Sequence, residues 1–179
     1  RHLLAGDSDG YYRDFDGATA SIAKTIQNGW FFAGQFASHE GHSRGTSSDG
    51  LSRESRLFCI QNHDQIGNRA FGKRLSTQIS RAAYYAASAL LLLSPEIPLL
   101  FMGQEWAAPE PFLYFTDHNQ ELGRLVTKGR RKEFEHFSAF TEEAQRERIP
   151  DPQAKETLLQ SKIDWDVRKL TEHADCRRW

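Results

Sequence analysis

The run Asn62-His63-Asp64-Gln65-Ile66-Gly67-Asn68-Arg69 concentrates amide, imidazole, carboxylate and guanidinium groups in one short stretch. Together these groups supply a dense set of hydrogen-bond donors and acceptors. Such a set suits recognition of a hydroxyl-rich ligand, with Asp64 as the chemically loaded member. The run comes directly after the apolar tetrapeptide Leu57-Phe58-Cys59-Ile60. A short apolar run of this kind fits a strand covered on both faces, as in a parallel α/β sheet. Residues just past the carboxyl end of such strands are where barrel enzymes keep their chemistry. The plainer reading is that Asn62, Asp64 and Gly67 form a turn that caps the next element. A turn alone, however, does not call for His63 and Arg69 as well.

A second polar rim, Gly103-Gln104-Glu105-Trp106, comes after the apolar segment 98–102. The elements needed to position both rims can be read from the pattern. A strand is expected over 56–61. A helix comes next, capped by Ser76 or Thr77, with Ile79, Ala82, Ala83, Ala86, Ala87, Leu90 and Leu91 as its apolar stripe. Ser94-Pro95 ends it, and a strand over 98–102 opens on Pro98. This is one βαβ unit, so the two strands should be parallel neighbours sharing a cleft. Upstream, a helix is expected over 18–28 with Gly29 just past its end, then a long polar loop over 39–55. Downstream, Asp117 should cap a helix running to about 140. Its charged run Lys128, Arg130, Arg131 and Lys132 reads as a solvated face. After the break at Ile149-Pro150-Asp151-Pro152, a short helix is expected over 154–162.

Other features weigh less. Tyr11, Tyr12, Phe15, Trp30, Phe31, Phe32, Phe36, Trp106, Phe112, Tyr114 and Phe115 would line a sugar-binding groove or, individually, fill a core. His39-Glu40-Gly41-His42 lacks the H-E-x-x-H spacing that puts two histidines on one helical face, so no metal site is expected. Arg13-Asp14 reads as a structural pair. Cys59 and Cys176 lie far apart, with Cys59 inside the apolar strand as a small core residue. No disulfide framework is implied, and a reducing, cytoplasmic setting is expected. The 179 residues carry a net charge of −1 with mixed signs. That excludes the one-sided basic field of a nucleic-acid binder. No apolar stretch reaches the length of a membrane span.

At Gln61-Asn62-His63-Asp64-Gln65-Ile66-Gly67-Asn68-Arg69 and Pro98-Leu99-Leu100-Phe101-Met102-Gly103-Gln104-Glu105 the chain resembles the α-amylase clan of glycoside hydrolases. Within that clan it is similar to the malto-oligosyltrehalose trehalohydrolase family. Asp9-Gly10-Tyr11-Tyr12, Gly34-Gln35-Phe36, and the segments 111–118, 129–134 and 149–153 extend the resemblance along nearly the whole chain. It implies an α/β fold, the (β/α)₈ TIM barrel. It also implies cleavage of the α-1,4 bond next to the trehalose end of maltooligosyltrehalose, an α-glucan oligosaccharide, with no cofactor. The clan uses a retaining mechanism, in which an aspartate nucleophile and a glutamate acid/base sit about 5–5.5 Å apart across the bond. A third carboxylate stabilises the transition state. By match this is Asp64, with His63 donating to the same sugar ring. Gln65, Ile66, Gly67 and Asn68 would line neighbouring subsites, and Arg69 would orient Asp64 or reach substrate.

Nothing here matches the nucleophile or the acid/base. The clan's nucleophile motif has an arginine two residues before its aspartate, whereas Arg13 and Asp14 are adjacent. Residues 1–148 therefore correspond to the second half of the catalytic barrel, roughly strands six to eight with their helices. Residues 149–179 correspond to an exit segment toward a C-terminal β-domain. The chain opens Arg1-His2-Leu3-Leu4 without an initiator methionine, which suggests a fragment or a processed product. Four strands at most do not close an eight-stranded barrel, so the piece alone should expose strand edges and an unpaired inner face. Two other readings stay open: another enzyme of the clan, a branching enzyme or maltogenic hydrolase, or a non-catalytic carbohydrate-binding module. The oligomeric state is left open.

Overall fold

A computed structural model describes the backbone of all 179 residues and every side chain except that of Tyr11, one of the candidate groove aromatics. In chain order the elements are α1 (His2–Ala5), α2 (Thr19–Asn28), β1 (Phe36–Ala37), β2 (His42–Ser43), β3 (Leu57–Phe58), α3 (His63–Gly67), α4 (Arg81–Leu93), β4 (Ile97–Pro98), α5 (Gln120–Glu133), α6 (Glu143–Glu147), α7 (Lys155–Gln160) and α8 (Thr171–Arg178). Short 3₁₀ turns join them. They fall into two compact units, 1–60 with 82–99, and 61–81 with 100–179.

In the first unit, α2 starts where Asp16 accepts hydrogen bonds from the Ala18 amide (2.9 Å) and the Ser21 hydroxyl (2.8 Å). It ends at Gly29, whose φ of 90° and amide bond to the Thr25 carbonyl close the helix as expected. The segment 39–55 is not one long loop. β2 lies in it and pairs antiparallel with β1, Phe36 opposite Ser43. The signal was weak because Gly and Ser dominate the stretch. Asp14 is hydrogen-bonded to this hairpin: its carboxylate accepts from the Ser38 hydroxyl and amide and from the His39 amide (3.0 Å). Those bonds hold its pKa below the ordinary aspartate value, the Ser38 hydroxyl contributing most.

β3 and β4 pair in parallel, Leu57 beside Ile97 and Phe58 beside Pro98, as a βαβ unit requires. The strands are much shorter than the expected 56–61 and 98–102. The ladder is flanked by Ile97 N–H donating to Arg56 C=O (3.0 Å) and Leu99 N–H donating to Phe58 C=O (2.8 Å). Pro98 has no N–H to add. Leu57 is 70% exposed and Cys59 only half-buried, so this pair is not a covered core strand. The half-burial still pushes the Cys59 thiol pKa up. In α4 the buried stripe is Tyr84, Ala87 and Leu91, rotated from the expected one, with Ala82 exposed and Leu90 39% exposed.

In the second unit, α5 begins at Asn119 and not at Asp117. The Asn119 side chain accepts from the Leu122 amide (2.9 Å). Gln153 takes both backbone groups of His118 (3.2 and 2.9 Å), which holds the chain just before the helix in a non-helical course. The helix stops at Glu133 and breaks into two 3₁₀ turns before residue 141. Those turns supply Phe134, Phe137 and Phe140 to a core with Ala70, Phe71 and Ile149. Ser76 and Thr77 cap no helix: they lie in a 3₁₀ turn, where the Thr77 hydroxyl donates to the Arg74 carbonyl (2.9 Å). α7 falls where the 154–162 helix was expected.

Candidate functional site

Both polar rims belong to the second unit. Asn62 caps α3, its side-chain oxygen accepting from the Gln65 amide (2.8 Å). So the plain reading of Asn62 as a cap holds, and it also sets the site. One helical turn sends His63, Asp64 and Gln65 outward and turns Ile66 and Gly67 into the interior. The Asp64 and His63 side chains are 71% and 67% exposed, with Asp64 Oδ1 3.4 Å from His63 Nε2. Asn68 is exposed and Arg69 half-buried, while Ile66 is fully buried. The outward members of 62–69 therefore form a solvent-facing polar row, and Ile66 and Gly67 are its floor.

The residues that fix this row carry no local sequence signal. Gln61 is fully buried and its Oε1 accepts from the Leu75 amide (3.0 Å), bridging the two ends of the loop. Its Nε2 has no partner among the described residues. Arg74, 1% exposed, donates from Nε to the Glu110 carbonyl (2.6 Å) and from Nη1 to the Met102 carbonyl (2.8 Å). Its guanidinium lies over the Phe101 ring at 5.2 Å. One buried cation thus staples the first rim to the segment that carries the second. Gly72 completes the anchorage: its φ is 54°, its carbonyl accepts from Phe112 N–H (2.9 Å), and an added Cβ would meet the Phe112 carbonyl oxygen at 2.4 Å.

The second rim is a 3₁₀ turn, Gln104–Trp106, between the left-handed residues Gly103 and Ala107. Glu105 is exposed, whereas Gln104 and Trp106 are buried. Trp106 packs on Trp165 (5.3 Å between centroids), and His173 Nδ1 of α8 lies 2.8 Å from its carbonyl. Trp106 is therefore core, not a stacking platform. Phe15, Phe31 and Phe32 likewise pack on one another at 4.9 to 5.7 Å. Among the described members of the aromatic set, Phe36, Tyr114 and Phe115 are the exposed ones.

Arg130 overturns the solvated-face reading of the charged run. It is 6% exposed, and its Nη2 donates to the carbonyls of Gly67 (2.6 Å) and Arg69 (3.0 Å). Lys128 and Lys132 are exposed and Arg131 is half-buried. On the helix, Gly123, Arg130 and Phe134 share the buried face at spacings of seven and four. In the His39–His42 loop, Glu40 pairs with Arg44 (2.9 Å) and lies 3.7 Å from His42. Among the described residues no group of three or more His, Cys, Asp or Glu is arranged to hold a metal ion. None of their helices is long and apolar enough to cross a membrane.

No protein-family model matches the chain. Curated proteins do. The chain is 48% identical over 178 residues to a malto-oligosyltrehalose trehalohydrolase of Deinococcus radiodurans, covering 97% of the chain and 29% of that protein. The enzyme of the same name from Rhizobium sp. is 38% identical over 174 residues, covering 96% and 28%. That of Saccharolobus solfataricus is 34% identical over 166 residues, covering 92% and 27%. A solved structure described as a putative α-amylase from Salmonella typhimurium superposes with a TM-score of 0.88 at 38% identity, over 99% of the chain and 29% of that structure. The resemblance read from the two rims is thus shown, with homologues of that name along nearly the whole chain. The α-amylase-like neighbour fits a partial α/β fold of mostly helices and small sheets. The chain spans less than a third of the length of these relatives.

Proposed function

We propose that this chain is the part of a glycoside hydrolase that carries the transition-state-stabilising carboxylate. The enzyme acts on the α-1,4 bond next to the trehalose end of maltooligosyltrehalose and releases trehalose. The observation that carries the reading is Asp64 itself, an exposed carboxylate on a capped and buried-anchored turn, within a chain 48% identical to a trehalohydrolase. Residues 1–148 form the second half of a (β/α)₈ barrel, strands six to eight, and 149–179 lead out toward a further domain.

In this reading a retaining pair of carboxyl groups elsewhere in the enzyme breaks the bond through an oxocarbenium-like transition state. Asp64 accepts hydrogen bonds from the hydroxyls of the reacting ring and holds negative charge beside the positive charge that develops. His63 donates to the same ring. Gln65, Asn68 and Arg69 face the neighbouring subsites, while Ile66 and Gly67 shape the floor beneath them. Preorganised charge aimed at the transition state is usually the largest single contribution to such catalysis.

The test is Asp64→Asn in the full-length enzyme. Trehalose release should fall by at least about 100-fold with the thermal midpoint unchanged. Near-native release would refute the assignment. A second reading, hydrolysis of plain α-glucans, is favoured by the α-amylase description of the structural neighbour. Comparing maltooligosyltrehalose with maltooligosaccharides of equal length separates the two.

A further inference from the structure

We propose that Arg130 is a positioning residue that sets the height and tilt of the turn bearing Asp64; the inference rests on the proposed hydrolase function. The geometry is that of a clamp. One buried guanidinium nitrogen spans the carbonyls of Gly67 (2.6 Å) and Arg69 (3.0 Å), on the C-terminal side of α3. The end of a helix leaves carbonyls without intrahelical donors, and Arg130 supplies donors to this stretch. Its other terminal nitrogen pairs with Glu133 (3.1 Å). The plane lies over two rings, Tyr114 at 5.1 Å and Phe134 at 4.7 Å. The guanidinium is therefore fixed by its stacking neighbours, its ion pair and the carbonyls, so it imposes a position on the turn.

The opposite end of the turn is held independently by the Asn62 cap and by Gln61. α3 is only five residues long, and movement at its C-terminal end carries Asp64 with it. A misplacement of about 1 Å in a transition-state contact costs on the order of 100-fold in rate. A lysine at position 130 keeps the charge but lacks the rigid planar fork.

The experiment uses the full-length enzyme with Arg130→Gln and Arg130→Lys, each in the native and the Asp64→Asn background. Arg130→Gln should lower kcat about 100-fold with little change in KM, measured well below its Tm. Arg130→Lys should recover part of the loss. In the Asp64→Asn background, Arg130→Gln should cost almost nothing further, because its effect passes through Asp64. Hydrogen exchange of peptides covering 62–69 should quicken in Arg130→Gln. Equal losses in both backgrounds, or a lowered Tm with kcat intact, would overturn the inference. If Arg130→Gln does not fold, the same readouts apply to Arg130→Lys. Full activity of Asp64→Asn alone would sink the functional reading. In that event the exchange measurement still decides whether Arg130 holds the turn, since unchanged exchange there rejects the clamp.

Discussion

Asp64 and Asp14 show what separates a carboxylate available to a ligand from one consumed by its own fold. Asp64 stands in solvent beside the neighbouring His63 imidazole. Asp14 is surrounded by donors from Ser38 and His39, and these lower its pKa. The lowered pKa has a pH consequence of fixed sign. A carboxyl group whose folded pKa lies below its unfolded value stabilises the fold above the unfolded pKa, and that contribution disappears as pH falls through the folded pKa. The Asp14 contacts to the β1–β2 hairpin should therefore persist through the ordinary aspartate titration at 3.8 and fail only below it. The His39 amide chemical shift reports this directly. It should titrate with a midpoint under 3.8, and the transition should vanish in Asp14→Asn. A midpoint at or above the ordinary value would show that the hydroxyl and amide contacts do not hold the charged form.

Among the elements, the start of α5 shows how a correct reading of residue types can still miss a boundary. Asp117 and Asn119 are both strong N-caps by type. The choice between them is made by Gln153, far along the chain, which occupies the His118 backbone from both sides. Asn119→Ala should destabilise the protein by about 1 kcal/mol, whereas Asp117→Ala should leave the urea midpoint unchanged. Equal effects would mean the cap is not where the Leu122 amide bond places it. The same logic sorts the rest of the fold. Local signals found α2 with its Gly29 ending, α7, and the parallel β3–β4 pair. They failed wherever a distant partner decides: the length of a strand depends on how many neighbours it pairs with, and Arg74 and Arg130 look like surface cations until the carbonyls they reach are known. The candidate site was legible for a related reason. Outward-facing Asn68, Asp64 and His63 are defined by their own run, while the buried arginines beneath the rims are defined by long-range contact.

For the molecule as a whole, the amount of apolar surface left in water is the informative quantity. Leu57 and Ile97 are register partners in the parallel pair, yet they are 70% and 48% exposed, and Leu93 at the end of α4 is 84% exposed. Parallel sheets are found covered on both faces, and a two-stranded sheet is marginal without further cover. The exposed pair therefore marks a face that further chain should cover, and relatives of which this sequence spans under a third have the length to supply it. The 179 residues expressed alone should bind an environment-sensitive dye such as ANS strongly and self-associate at micromolar concentration. The full-length protein at the same molarity should do neither. Replacing Leu57 and Ile97 together with lysine should reduce both dye binding and self-association of the isolated chain, because charges on an open strand pair block edge and face association. The same double change in the full-length protein should be strongly destabilising, since it would bury two charges without partners. A chain that stays monomeric and dark on its own, or a full-length protein that tolerates both lysines, would mean that the leucine and isoleucine face is an ordinary surface.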